Sequence, residues 1–203
     1  MTHDDLTPEQ RATRGALWRE SLDTLPRRLV EHVVERLARW AIPLSPEGLR
    51  LPRRAAECDL VHTASDVLAY ARTGRAGDWD DDGSAMDALQ SLSIVYESPL
   101  GDPEVPADWA DGAELEGLRA ELAEVARATL ARVHLARGET IPRPWLAALA
   151  GVSVSTIEKA IRLDELATSK RRRARGDGGG KPAVDVDNAS ARAWLAARSV
   201  EGV

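Results

Sequence analysis

Apolar residues recur at helical spacing along most of the chain, and prolines and acidic stretches mark where each run stops. Thr7-Pro8-Glu9-Gln10 combines a capping threonine, a proline in the first turn and a glutamine three residues after the cap. That wording predicts a helix from there to about Ser21. Thr24-Leu25-Pro26 opens a second helix, with Leu25, Leu29, Val33, Leu37, Trp40 and Ala41 on one face and an end before Pro43. Pro43–Arg54 holds three prolines and one glycine, so a loop is expected. A third helix follows over about Ala55–Arg72, with Leu60, Val61, Ala64, Val67, Leu68 and Ala71 inward. A fourth covers Ser84–Tyr96, burying Met86, Leu89, Leu92 and either Val95 or Tyr96. Leu92–Tyr96 also fits a short strand.

Pro99, Pro103 and Pro106 keep Glu97–Asp111 extended and mark the natural domain boundary. Ala113–Arg137 then predicts the longest helix. Leu115, Leu118, Leu122, Val125 and Thr129 keep heptad spacing, and Leu130 and Val133 widen the stripe. The stripe can pack within the chain or form the seam of a homodimer, although about two to three heptads fall short of a sustained coiled coil. The chain divides into a helical N-terminal domain over 1–111, a connecting helix over 112–137 and a C-terminal module over 138–203.

The C-terminal module carries the clearest pattern. Leu146-Ala147-Ala148-Leu149-Ala150-Gly151-Val152-Ser153-Val154-Ser155-Thr156-Ile157 reads as two helices joined by a short glycine turn. Ala147 suits a close helix approach, Gly151 a left-handed C′ position, Val152 the corner and Ser153 the cap of the second helix. Ile157 and Ala160 then face inward. Val154, Ser155, Glu158, Lys159 and Arg162 remain outward. The wording Gly-Val-Ser-x-Ser-Thr-Ile resembles the helix-turn-helix of phage repressor and Cro-type regulators.

Further along, Ala167–Lys170 and Ala183–Val186 are strand-like. They flank the basic, glycine-rich run Arg171-Arg172-Arg173-Ala174-Arg175-Gly176-Asp177-Gly178-Gly179-Gly180-Lys181-Pro182. Strand, basic loop and strand predict a β-hairpin wing. A helix capped by Asp187 or Asn188 follows, running through Trp194-Leu195 to Arg198. The whole run is similar to the winged helix-turn-helix of the excisionase and MerR-like group. That group places a glycine where Asp164 stands here, and this loop is longer than usual. Aspartate tolerates a left-handed backbone better than most residues. The resemblance covers the last third of the chain. It implies a small β-hairpin wing and duplex DNA as the partner, and it says nothing about the rest, where the helical spacing predicts an all-α N-terminal domain and so a mainly α fold.

Charge supports a division of labour. The net charge of −6 splits into 16 basic against 25 acidic side chains (−9) over 1–137, and 11 against 8 (+3) over 138–203. All three lysines, Lys159, Lys170 and Lys181, lie in the positive part. Lys can pair with guanine acceptors, Glu158 with a cytosine amino group and Val154 with a thymine methyl, while Ser155 also faces base edges. Ser153 lies at the start of that surface. Arg162, Lys170, Arg171, Arg172, Arg173, Arg175 and Lys181 suit phosphate or minor-groove contact.

Other chemistry is weakly signalled. Asp78, Asp80, Asp82 and Gly83 match the opening ligands of an EF-hand loop, but Leu89 stands at the twelfth position, where a bidentate glutamate is required. Cys58 and His62 are four apart, yet a zinc site needs more ligands and there is no second cysteine. His3, His32 and His134 show no nucleophile–base spacing, and Gly176–Gly180 lacks the helix of a phosphate-binding loop. No enzymatic activity, metal or cofactor is expected. The single cysteine and polar N-terminus fit a cytoplasmic protein, and no apolar run approaches the ~18 residues of a membrane span. The expected function is sequence-specific DNA binding in transcription. Two alternatives remain: an excisionase-like architectural accessory, and an adaptor or antitoxin whose N-terminal domain binds a partner protein.

Overall fold

The computed structural model describes residues 17, 19–32, 59–76, 79, 82–97, 112–170 and 184–200. These residues are mainly helical, with one two-stranded antiparallel sheet. In chain order they form α1 (Glu20–Asp23), a further helical run over 25–32, α2 (Asp59–Thr73), α3 (Asp82–Glu97), α4 (Gly112–Arg137), α5 (Arg143–Ala150), α6 (Val154–Arg162), β1 (Thr168–Lys170), β2 (Val184–Val186) and α7 (Asn188–Ala196).

Near the expected end of the first helix, Arg19 is extended at φ −65° and ψ 139°, and α1 follows it. The Thr24 hydroxyl donates to the Ser21 carbonyl at 2.9 Å, which closes this short helix. The expected start at Thr7 and the Pro43–Arg54 loop lie outside the described residues. In α2 the inward row is Ala64, Val67, Leu68 and Ala71, with Leu60 partly buried, as the periodicity predicts. The strand alternative for Leu92–Tyr96 is corrected, since that stretch belongs to α3. Ala85, Ala88 and Leu92 are its buried row, whereas Met86 and Leu89 are only partly covered.

The long helix α4 is the centre of the packing. It lies against α2 and α3 through one part of its length and against α5 through another. Leu118, Leu122, Val125, Ala128, Ala131 and Leu135 all join the main buried cluster. Of the stripe, Leu118, Leu122, Val125, Thr129 and Val133 are buried within the chain, as the intrachain alternative expects, and Leu130 is partly buried. Leu115 lies outside the described side chains.

Arg132 of α4 is buried at 3 % exposure, and its charge is matched by helix-end carbonyls. Nε donates to the Ala71 carbonyl at 2.8 Å and Nη2 to that of Arg72 at 2.5 Å. A cation at the carboxyl end of α2 satisfies orphan carbonyls and the helix dipole together. Arg28 and Arg19 also reach α4, pairing with Glu121 and Glu124.

The carboxyl end of α4 is held by α7. The Asn188 side-chain amide donates to the carbonyls of His134 at 3.0 Å and Glu139 at 3.0 Å, and Arg192 Nη2 donates to that of Leu135 at 2.6 Å. Between α4 and α5, Ile141 exchanges both backbone hydrogen bonds with Val186, at 2.9 and 2.8 Å. β2 is thus bordered by β1 on one edge and by this single bridge on the other.

Candidate nucleic-acid interface

Helices α5 and α6 are fixed by backbone geometry that their sequence dictates. Gly151 ends α5 at φ 65° and ψ 30°. Its N–H donates to the Ala148 carbonyl at 3.2 Å, and the Val152 N–H to that of Ala147 at 3.0 Å. This is the Schellman pattern, which requires a left-handed residue and so favours glycine. Ser153 follows in an extended conformation as the cap of α6, accepting the Thr156 N–H at 3.2 Å. Its hydroxyl also lies 2.7 Å from that of Ser155 and 2.9 Å from that of Thr156. Three hydroxyls therefore gather at the start of α6. The part played by Thr156 is not visible from periodicity.

Burial divides α6 as the pattern requires. Ile157 and Ala160 are buried against the core, and Ser155, Thr156, Glu158, Lys159 and Arg162 are exposed. Val154 is also exposed, at 39 %, and Leu163 just beyond the helix at 58 %.

The end of α6 repeats the geometry of α5 with a different residue. Asp164 has φ 57°. Its N–H donates to the Ile161 carbonyl at 3.2 Å and the Glu165 N–H to that of Ala160 at 2.9 Å. Asp164 thus takes the left-handed backbone expected at this position. Leu166 is then buried and the chain enters β1.

β1 and β2 pair antiparallel, Thr168 with Val186, Ser169 with Asp185 and Lys170 with Val184. The basic residues Arg171, Arg172, Arg173, Arg175 and Lys181 lie outside the described residues, on the segment that joins these two strands. Asp187 caps α7 by accepting the Ser190 N–H at 3.0 Å. Trp194 and Leu195 are buried in the cluster that holds Leu146 and Leu149. Trp194 Nε1 donates to Glu165 at 3.4 Å, and the Arg198 guanidinium lies 3.6 Å above the Trp194 ring, closing the far side of the module.

One contact was not legible in the sequence. Arg143, the first residue of α5, donates through Nε to the Val184 carbonyl at 3.1 Å. Its Nη1 lies 3.7 Å from Glu158 Oε1. A single guanidinium thus joins α5, α6 and the start of β2. On the opposite face, Trp145 meets His134 edge-on, with ring centroids 4.9 Å apart.

No family model, curated protein or solved structure matches this chain. Among the described residues no helix is long and apolar enough to cross a membrane. Nor do they contain a group of three or more His, Cys, Asp or Glu able to hold a metal ion. Cys58, Asp78 and Asp80 of the weighed metal patterns lie outside the described residues, and Asp82 and Gly83 begin α3. The surface that gathers most sequence-singled residues is the outer face of α6. Short polar groups, one lysine, one arginine and the Glu158 carboxylate stand there, groups able to hydrogen bond a polar ligand.

Proposed function

We propose that this chain binds duplex DNA sequence-specifically and acts as a transcriptional regulator. The observation that carries the reading is α6: nine residues whose inner row, Ile157 and Ala160, is locked to the core while the outer row stays exposed. In this reading α5, the Gly151 turn and α6 are a helix-turn-helix, and β1, the basic segment and β2 are its wing. The arrangement is then that of the excisionase and MerR-like group. A B-form major groove admits one α-helix. Val154, Ser155 and Lys159 face base edges, with Lys159 donating to guanine O6 or N7. Arg162, Lys170 and the basic segment contact phosphates, which position without specifying.

The charge division supports the same orientation, because only 138–203 is net positive. A lone recognition helix reads a few base pairs, so a longer site calls for a second copy of the chain. The test is a titration of the full chain with labelled duplex DNA over a range of salt. Each neutralised phosphate contributes about −0.9 to the slope of log K against log salt. The reading expects a clearly negative slope together with a sequence-dependent intercept, and a chain that ignores duplex DNA at low salt contradicts it.

A further inference from the structure

Ile157 and Ala160 form the buried inner row of α6. At about 100° per residue, Ser155 and Arg162 lie opposite them on the outermost line, and Glu158 stands to one side of it. Arg143, which belongs to α5, approaches α6 on that side. Its Nη1 lies 3.7 Å from Glu158 Oε1, with the Arg143 side chain 31 % and the Glu158 side chain 50 % exposed. Its Nε donates to the Val184 carbonyl of β2 at 3.1 Å. A guanidinium carries five N–H donors. Among the described residues no group accepts from the two on Nη2, although the side chain is two-thirds covered.

A B-form major groove is about 12 Å wide, and a helix with its side chains is about 10–12 Å across. A helix seated in the groove fills it, so a group alongside that helix meets the phosphate wall rather than the base edges. A lone carboxylate at the wall is repelled. Here a guanidinium stands beside it. We infer that Arg143 is a DNA-backbone contact, donating its Nη2 N–H groups to a phosphate at the groove wall next to Glu158. This rests on the DNA-binding reading above. The planar fork suits bidentate donation to phosphate. The Val184 carbonyl and the Glu158 carboxylate hold that fork in place before DNA arrives, which reduces the side-chain freedom lost on binding. Every group of this site belongs to α5, α6 or β2.

A clamp between helices and a phosphate contact differ in their salt dependence. Arg143→Gln keeps an N–H donor for the Val184 carbonyl and removes the charge. If Arg143 only ties α5 to α6 and β2, affinity changes with the slope of log K against log salt left as in the wild type. If it contacts a phosphate, affinity falls by about tenfold at low salt for every sequence alike, and the slope becomes shallower by about 0.9. The order of preferred sequences stays as in the wild type, because a phosphate contact carries no base information. All other cations are common to the two proteins, so the difference in slope isolates Arg143.

The experiment uses the full-length chain and the duplex that the wild type enriches from random DNA. Wild type and Arg143→Gln are titrated over a range of salt, and then against copies of that duplex in which single phosphates are replaced by neutral methylphosphonates. A shallower slope for Arg143→Gln supports the inference, together with a phosphate whose neutralisation weakens the wild type but costs the variant nothing further. Arg143→Lys keeps the charge and loses the fork, so it keeps the slope and loses affinity through that same phosphate; it carries the comparison if Arg143→Gln does not fold. A variant with the wild-type slope and the wild-type response at every phosphate overturns the inference while leaving the DNA-binding reading intact. A wild type that enriches no sequence overturns both.

Discussion

The side-chain amide of Asn188 lies 3.0 Å from the carbonyl oxygen of His134, so the first residue of α7 caps the last turn of α4. The same amide reaches Glu139, and Arg192 one turn later takes the Leu135 carbonyl. The end of the longest helix is finished by side chains about fifty residues away in sequence. Asn188→Ala leaves those carbonyls short of donors and is expected to cost about 1–2 kcal/mol, or about 2–8 °C for a chain of this size. A thermal melt by circular dichroism checks it. An unchanged melting temperature would show that water replaces the amide without loss.

The same contacts set the smallest fragment that folds. α5 packs chiefly on α4, and Leu135 and Ala131 of α4 share the buried cluster with Leu146 and Trp194. Residues 138–203 alone lose that partner and are expected to melt without a cooperative transition. A fragment that begins at 112 keeps it and melts cooperatively. Calorimetry on the two fragments separates the cases, and a sharp transition from 138–203 would show that the C-terminal helices need no support.

Leu122 and Val125 are 7 % and 1 % exposed within a single chain. Replacing both with glutamate buries two charges that have no partner, which the fold cannot accommodate. The expected outcome is loss of the folded state, seen as a missing near-ultraviolet signal. A variant that keeps its fold but halves its mass in light scattering would instead place these residues in a subunit seam.

Much of the C-terminal module was legible because its signals are local. Gly151, Ser153 and the spacing of Ile157 and Ala160 specify a turn, a cap and an inner face within one stretch of chain. Asp164 could be assigned a left-handed backbone from the resemblance alone. The contacts that lock these pieces together were not legible. Arg132 looks like any arginine on a helix until α2 brings the Ala71 carbonyl to it, and Arg143 looks like a solvated first-turn residue until β2 brings Val184. The heptad spacing of α4 suits self-association and intrachain packing equally, and that the stripe packs on α2, α3 and α5 is visible only in the tertiary arrangement. Arg19 is neither proline nor glycine, so the periodicity reads straight across its extended backbone.

Asp164 offers a direct check of backbone strain. A side chain at φ 57° carries a penalty that glycine avoids, and a β-branched residue pays most. Asp164→Gly is expected to stabilise the protein by up to about 1 kcal/mol, and Asp164→Val to destabilise it by about 1–2 kcal/mol. Urea titrations of the two variants should move in opposite directions. Movement in the same direction would mean that the carboxylate, not the backbone, governs this position.

Lys159 and Arg172 should differ in kind as DNA contacts. Lys159 is exposed on α6, and Arg172 belongs to the basic segment between β1 and β2. Lys159→Ala should change preference at one position, by about 1–3 kcal/mol, whereas Arg172→Ala should weaken all sequences and lower the salt slope by about 0.9. Binding to a panel of substituted duplexes measures both, and uniform losses from the two variants would contradict the division.

The most direct test of the central claim is a selection of bound sequences from random duplex DNA by the full-length chain, at low and near-physiological salt. DNA binding through α6 predicts one enriched motif at both salts, with total retention falling at the higher salt and Lys159→Ala enriching a motif altered at one position. Retention with no enriched sequence at either salt, or no retention at all, would contradict it.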